Sequence, residues 1–320
     1  MKLLPLVRTL AAVGAAVVLA GSTALVQAEN PKEINISYVK SPFNLQVMVI
    51  RAKGLLDKEF EKDGIAVTWR DITSGAQQAQ AMAAGALDVA SVMNTASVLM
   101  ANAGGNPVLV ASGVSRPTKS FAVVGKPGGP QTVKELKGKT IAGPKGTVLH
   151  QTLVAALKSE GMTINDVEFV NMDLGKAHAA LLAGQVDAAL QAASMIIKAE
   201  KAGARVIATA DGLVTPLLVL TSSEGFAKNH PELLERVVKV EREATDWIAA
   251  NREEALKIGA EEHGISIEEA TQLADWSNYF SKIEASDIAA MKEDVQFLSE
   301  NDMLKQIVDP AAIVLPLAQK

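Results

Sequence analysis

Small hydrogen-bonding residues recur in this sequence where helices should begin: Ser41 and Asn44 beside Phe43, Ser74-Gly75, Asn94-Thr95, Ser115, Gly146-Thr147 and Ser194. Such residues suit the capture of a compact anion or zwitterion. In α/β sheets, ligands sit beyond the carboxyl ends of the strands, where helix N-termini present free N–H groups and a positive dipole end. Each terminus contributes about 0.3–1 kcal/mol to an anion. Lys145 adds a full positive charge to one of these loops, as Lys40 or Arg116 could from elsewhere, and His150 falls on the first turn of the helix that follows. Phe43, Phe121, Trp276 and Tyr279 are the aromatic candidates for walls, with Tyr279 included in the site. Taken singly, each hydroxyl has a local explanation as a helix cap: Ser74 with Gln77 matches a capping box, and Thr147 or Asp173 suits an N-cap. The convergence of several such loops is what points to a ligand.

Reaction chemistry is harder to assemble from these residues. The chain has no cysteine, which removes thiolate nucleophiles, Cys-based zinc sites and iron–sulfur clusters. Gly138-Lys139-Thr140 resembles the end of a phosphate loop, but Val133 stands where the first glycine belongs and the triplet precedes a strand. His150, His178, His230 and His263 are too far apart in sequence to form a local metal pair. Gly113-Val114-Ser115-Arg116-Pro117 lacks the last glycine of a nucleophile elbow. No nucleophile and base come together, and neither a catalytic residue, a metal nor a cofactor is expected.

The elements that must position these loops are organised by an internal repeat. Sliding the chain by 99 residues lays 81–90 (AMAAGALDVA) over 180–189 (ALLAGQVDAA) without a gap. Each copy reads as a helix ending at Gly85 or Gly184, a short strand opened by Asp88 or Asp187, a second helix and another strand. The two aspartates fall at strand beginnings, the end away from the ligand edge, so turn stabilisation suits them better than catalysis. Strands at 34–39 and 140–142 lead into polar loops and helices. Further strands are expected at 120–125, entering the second half, and at 217–221, returning from it, with a turn-rich linker at 127–130. Residues 231–251, 266–280 and 286–300 read as amphipathic helices without a counterpart in the repeat. The result is an α/β chain of two lobes, 29–124 plus 217–320 and 125–216, joined by two crossing segments with a cleft between them.

Composition agrees with a globular chain: 320 residues, 48% hydrophobic and 21% charged, with a net charge of −5 that disfavours nucleic acid and anionic membranes. Lys2 and Arg8 precede a short apolar run, and Val26-Gln27-Ala28 suits cleavage, so 1–28 reads as a secretory signal peptide. Ser22 stands where a lipoprotein signal needs cysteine. A soluble, monomeric periplasmic protein is expected. Residues 89–115 carry no charge, yet Asn94, Asn102, Gly104, Gly105, Asn106 and Pro107 interrupt them too often for a membrane span.

Several segments together resemble a known family: Gly54-Leu55-Leu56, Ser74-Gly75, the two Gly-x-x-Asp units, Leu136-Lys137-Gly138-Lys139 leading to Lys145-Gly146-Thr147, and Phe226-Ala227-Lys228-Asn229-His230-Pro231. Over about residues 33–250 the sequence is similar to the solute-binding proteins of ABC importers, in the branch for aliphatic sulfonates, taurine and nitrate. The resemblance implies a periplasmic binding fold with two crossovers, a small-molecule ligand held between the lobes, and delivery to a membrane permease driven by a cytoplasmic ATPase. It also implies that ligand is held by the loop after the first strand, at Ser74-Gly75, at Asn94-Thr95 and at Gly146-Thr147. Relatives often carry an aromatic and acidic segment where this chain has Gln191-Ala192-Ala193-Ser194, which leaves room for a ligand larger than taurine, or for a flatter organic acid. Competing readings are a pyrimidine or aromatic-acid receptor of the same fold, a sensor subunit, and an enzyme similar to the synthase of the thiamine pyrimidine. The last looks to need a cysteine-rich iron motif that this chain lacks.

Overall fold

Strands and helices alternate along residues 30–320, which the computed structural model describes; the signal-peptide reading of 1–28 lies outside them. The first half contains β1 (Glu33–Ser37), α1 (Leu45–Lys53), α2 (Leu55–Phe60), β2 (Ala66–Arg70), α3 (Gly75–Ala83), β3 (Val89–Asn94), α4 (Thr95–Ala103) and β4 (Val108–Ser115). There follow β5 (Phe121–Gly125), β6 (Thr140–Gly143), α5 (Val148–Ser159), β7 (Glu168–Asn171), α6 (Leu174–Leu182), β8 (Ala188–Ala192), α7 (Ser194–Lys201) and β9 (Arg205–Thr209). Last come β10 (Leu218–Ser223), α8 (Glu224–Asn229), α9 (Pro231–Ala250), α10 (Arg252–His263), α11 (Ile267–Ser277) and α12 (Ala285–Glu300).

Two sheets result, with strand orders β2-β1-β3-β10-β4 and β7-β6-β8-β5-β9. They are the same arrangement twice: three parallel strands, then one antiparallel strand that has crossed over, then the edge. The sequence repeat is visible in the elements, since α3 and α6, and α4 and α7, begin at the same offset of 99 residues. Gly85 and Gly184 take the left-handed conformation, at φ 69° and 70°, where a side chain would be strained. The two aspartates play matching parts. Asp88 Oδ2 accepts the Asn35 N–H of β1 at 2.8 Å, and Asp187 Oδ2 accepts the Thr140 N–H of β6 at 3.1 Å. Each therefore ties the entry of one strand to its neighbour, a job for an acceptor at the strand's beginning.

β5 belongs to the second sheet, pairing with β8 and β9, whereas the sequence reading kept residues up to 124 with the first lobe. Sheet pairing is non-local, so the strand itself was readable but its partners were not. Helix α10 was not expected at all. Its buried face is Ala255, Leu256, Gly259 and Ala260, and with three of the four small it gives no strong apolar period. The charge-free run at 89–115 is explained by burial, because β3, much of α4 and nearly all of β4 are covered. Among the described residues no helix is long and apolar enough to cross a membrane.

Each sheet is covered by apolar clusters on both faces. A further cluster joins α1, α10 and α11 to Ala193 and Ile197 of the second half, so the halves touch through packed side chains. Pro231 occupies the first turn of α9, where its missing N–H costs nothing. Ser266 and Glu269 form a capping box on α11.

Candidate functional site

A cavity of about 350 Å³ lies between the two sheets and is lined from both. The loops after β1, β2 and β3 supply Ser41, Thr73, Gly75 and Asn94; those after β6, β7 and β8 supply Thr147, Leu174 and Ser194. These loops are equivalent in the topology of the two sheets, and Gly75 and Leu174 stand at the 99-residue offset of the repeat. Because α3, α4, α5, α6 and α7 each present a residue of, or beside, their first turn, five helix N-termini converge on one space. The remaining lining is chiefly apolar, including Val39, Val92, Met93, Phe121, Val148 and Leu218, and no lining residue carries a charge. Phe121, an aromatic candidate from the sequence, forms part of the wall.

The loops are held in place by their own hydrogen bonds. Asn94 Oδ1 accepts the Ser97 N–H at 2.9 Å, capping α4 while facing the cavity. Thr147 donates to Pro144 O at 3.0 Å and accepts from the His150 N–H at 3.4 Å. Gln78 lines the cavity with its amide fixed, donating to Val92 O at 3.2 Å and accepting from the Ser37 hydroxyl at 2.9 Å. At Gly75 a Cβ would meet the Ser97 side chain, so glycine lets α3 approach α4 closely. Ala193, at φ 47°, is a strained turn residue at the cavity wall, directly before α7.

Of the residues singled out from sequence, Ser41, Gly75, Asn94, Thr147 and Ser194 line the cavity. The others sit behind or beside it. Phe43 is fully buried against the ring of His263, with Gly259 close by. Asn44 donates to Val39 O at 2.8 Å and Ser41 O at 2.6 Å, which shapes the loop that presents Ser41. Ser74 is exposed and makes no cap bond, so its match to a capping box is not realised. Thr95 turns away from the main cavity and donates to Asp294 Oδ2 at 2.6 Å. Ser115 is buried in β4 beside Leu218, forming a bridge to Tyr279. The Tyr279 hydroxyl donates to Phe43 O at 2.7 Å, and burial holds its pKa above the usual phenol value.

The expected positive charges also lie elsewhere. Lys145 is exposed, while its backbone N–H donates to Asn171 Oδ1 at 2.9 Å. Lys40 donates to Glu262 O at 2.6 Å, and Arg116 makes a two-pronged pair with Asp287 at 2.7 and 2.8 Å. Gly146, at φ 75°, lies under Met303, and His150 is buried between Phe169 and Phe297. Desolvation, aided by the charge of Lys145, lowers His150 to a pKa of about 4, so the ring is neutral at physiological pH. The residues missed by sequence reading are mostly apolar ones such as Val148, Leu174 and Met195, whose type alone marks them as core.

Residues 56–255 match the family described as NMT1/THI5 like. The chain belongs to this family. A protein of Bacillus subtilis (strain 168) named for binding aliphatic sulfonates is 28% identical over 227 residues, covering 70% of this chain and 68% of that one. The taurine-binding periplasmic protein of Escherichia coli (strain K12) is 29% identical over 215 residues, 63% of each. Among solved structures, the periplasmic aliphatic sulphonate binding protein SsuA from Escherichia coli superposes with a TM-score of 0.80 at 20% identity, covering 91% of this chain and 94% of that one. The desulfurization enzyme DSZB shares the fold too, at a TM-score of 0.66 and 17% identity, with 89% and 96% covered. The same fold thus occurs both in a protein named for binding and in an enzyme.

Proposed function

We propose that this chain is the extracytoplasmic solute-binding component of an ABC importer, and that it captures a small organic anion of the sulfonate class between its two halves for delivery to a membrane permease. The observation that carries the reading is the convergence of helix N-termini on a largely apolar, uncharged cavity. Several dipole ends and free N–H groups favour an anionic head group. The apolar remainder favours a hydrocarbon or aromatic body, and a volume of about 350 Å³ sits at the lower end of the range for small-molecule sites. No carboxylate lines the cavity to meet an ammonium group, so a simple anion suits it better than the zwitterion taurine.

Binding without turnover is supported by the same lining, which offers no titratable side chain to act as base, acid or activated nucleophile. In this reading the crossings at 116–120 and 210–217 act as hinges, one chain completes the site, and the protein works as a monomer in the periplasm. The test is a thermal-shift series on the purified protein with 1-butanesulfonate, taurine, benzoate and choline. A ligand that binds only the folded state raises the melting temperature. Butanesulfonate should raise it more than taurine, and choline should leave it unchanged. Stabilisation by choline alone would refute the anion reading.

A further inference from the structure

The seam between the two halves buries one carboxylate beside the cleft. Asp294, on α12, is only 6% exposed and accepts the Thr95 hydroxyl at 2.6 Å. A small void next to it is lined by Asn94, Val148, Gln151, Pro216, Leu217 and Asp294, among others, which brings together α4, α5, α12 and the segment crossing back to the first sheet. Further along, the Phe297 ring meets the edge of His150 at 5.7 Å, and Met303 fills the space over Gly146. α12 packs into the core of the first half, so it straps that half to the N-terminal end of α5.

We propose that Asp294 is a positioning residue of the cleft: it fixes the first turn of α4, and with it Asn94 on the cavity wall, while its burial against α5 makes closure of the two halves bear the desolvation of a carboxylate. This rests on the reading above that ligand is held between the halves. Burial raises Asp294 to a pKa of about 6 and Glu293 pushes in the same direction, whereas Thr95 and Gln151 stabilise the charged form. The other elements packed around it bring few charges. Residues 95–103 of α4 and 216–218 carry none; α5 brings His150, which stays neutral above pH 5, with Lys145 exposed just ahead of it. If closing raises the pKa, closing takes up a proton, so the closed form gains as pH falls through about 6.

The absence of native cysteine allows a clean test with the full chain. Gln77→Cys and Lys176→Cys, exposed and equivalent positions on α3 and α6, take spin labels whose separation reports closure without any ligand. The ligand-free parent should move to shorter distances between pH 7.5 and pH 5. Asp294→Asn should be short at both values, and Thr95→Val, which removes a donor to the carboxylate, should move the midpoint to higher pH. Distances in the parent that ignore pH, or an Asp294→Asn protein that keeps the parent's response, would overturn the proposal. Should Asp294→Asn fail to fold, the Thr95→Val midpoint decides alone: a shift upward supports the proposal and an unshifted midpoint overturns it. With 1-butanesulfonate, ionised throughout, Asp294→Asn should bind more tightly at pH 7.5, by about tenfold for each unit by which closure shifts the carboxyl. Labels that respond without butanesulfonate binding would count against the ligand reading and leave the role of Asp294 standing.

Discussion

Glu241 is a carboxyl group placed where water does not reach, on the buried face of α9 against β4. Its Oε2 is 3.3 Å from the Ser112 hydroxyl, and desolvation raises its pKa to about 8. The folded protein therefore holds a proton that the unfolded chain releases near pH 4.5, so stability is full below that value and falls as pH rises towards 8. The slope approaches about 1.4 kcal/mol per pH unit for one proton. Glu241→Gln, a neutral stand-in for the protonated acid, should flatten this fall, and urea midpoints at pH 5 and pH 9 would show it. An equal decline in both proteins would contradict it. At Gly75 the argument is steric. Gly75→Ala places a Cβ against Ser97, and should cost about 1–3 kcal/mol of stability together with weakened ligand binding, read from melting curves with and without butanesulfonate. Unchanged melting would show that α3 and α4 can separate freely.

At the scale of elements, the duplicated clamp between strands makes a paired prediction. Asp88→Ala and Asp187→Ala each leave a strand N–H without its acceptor, at a cost of about 1–3 kcal/mol. The sites lie in different sheets, so the double variant should show the sum of the two losses. Denaturant titration of the three proteins checks this, and a large departure from the sum would mean that the sheets unfold in a coupled way through these groups. The repeat that reveals these residues was legible because α3 and α6, and α4 and α7, begin at the same offset of 99 residues. The strands β5 and β10 were legible as strands, but the sheet that β5 joins depends on pairings far away in sequence. Helix α10 escaped because Ala255, Gly259 and Ala260 bury little apolar surface each. In the cleft, small residues at strand ends were legible at Ser41, Gly75, Asn94, Thr147 and Ser194. Phe43 and Tyr279 went instead to packing behind the loops, since spacing does not tell which side of a loop an aromatic ring takes. Lys145 shows the same limit for charge: its position in a loop is readable and the direction of its side chain is not.

On the scale of the whole molecule, two copies of one α/β unit face each other so that the ends of parallel strands, and the helices that follow them, share a single space. In the proposed function the charge of the ligand is met by peptide dipoles in place of a lysine or arginine, and its body by Phe121 and the aliphatic residues that line the cavity. The most direct measurement of this claim is calorimetric titration of the protein with 1-butanesulfonate and with its neutral counterpart, 1-butanesulfonamide. Several helix termini acting together on the anion predict at least tenfold tighter binding of the sulfonate, with one ligand per chain. Equal affinity for the two compounds, or tighter binding of the amide, would contradict the account.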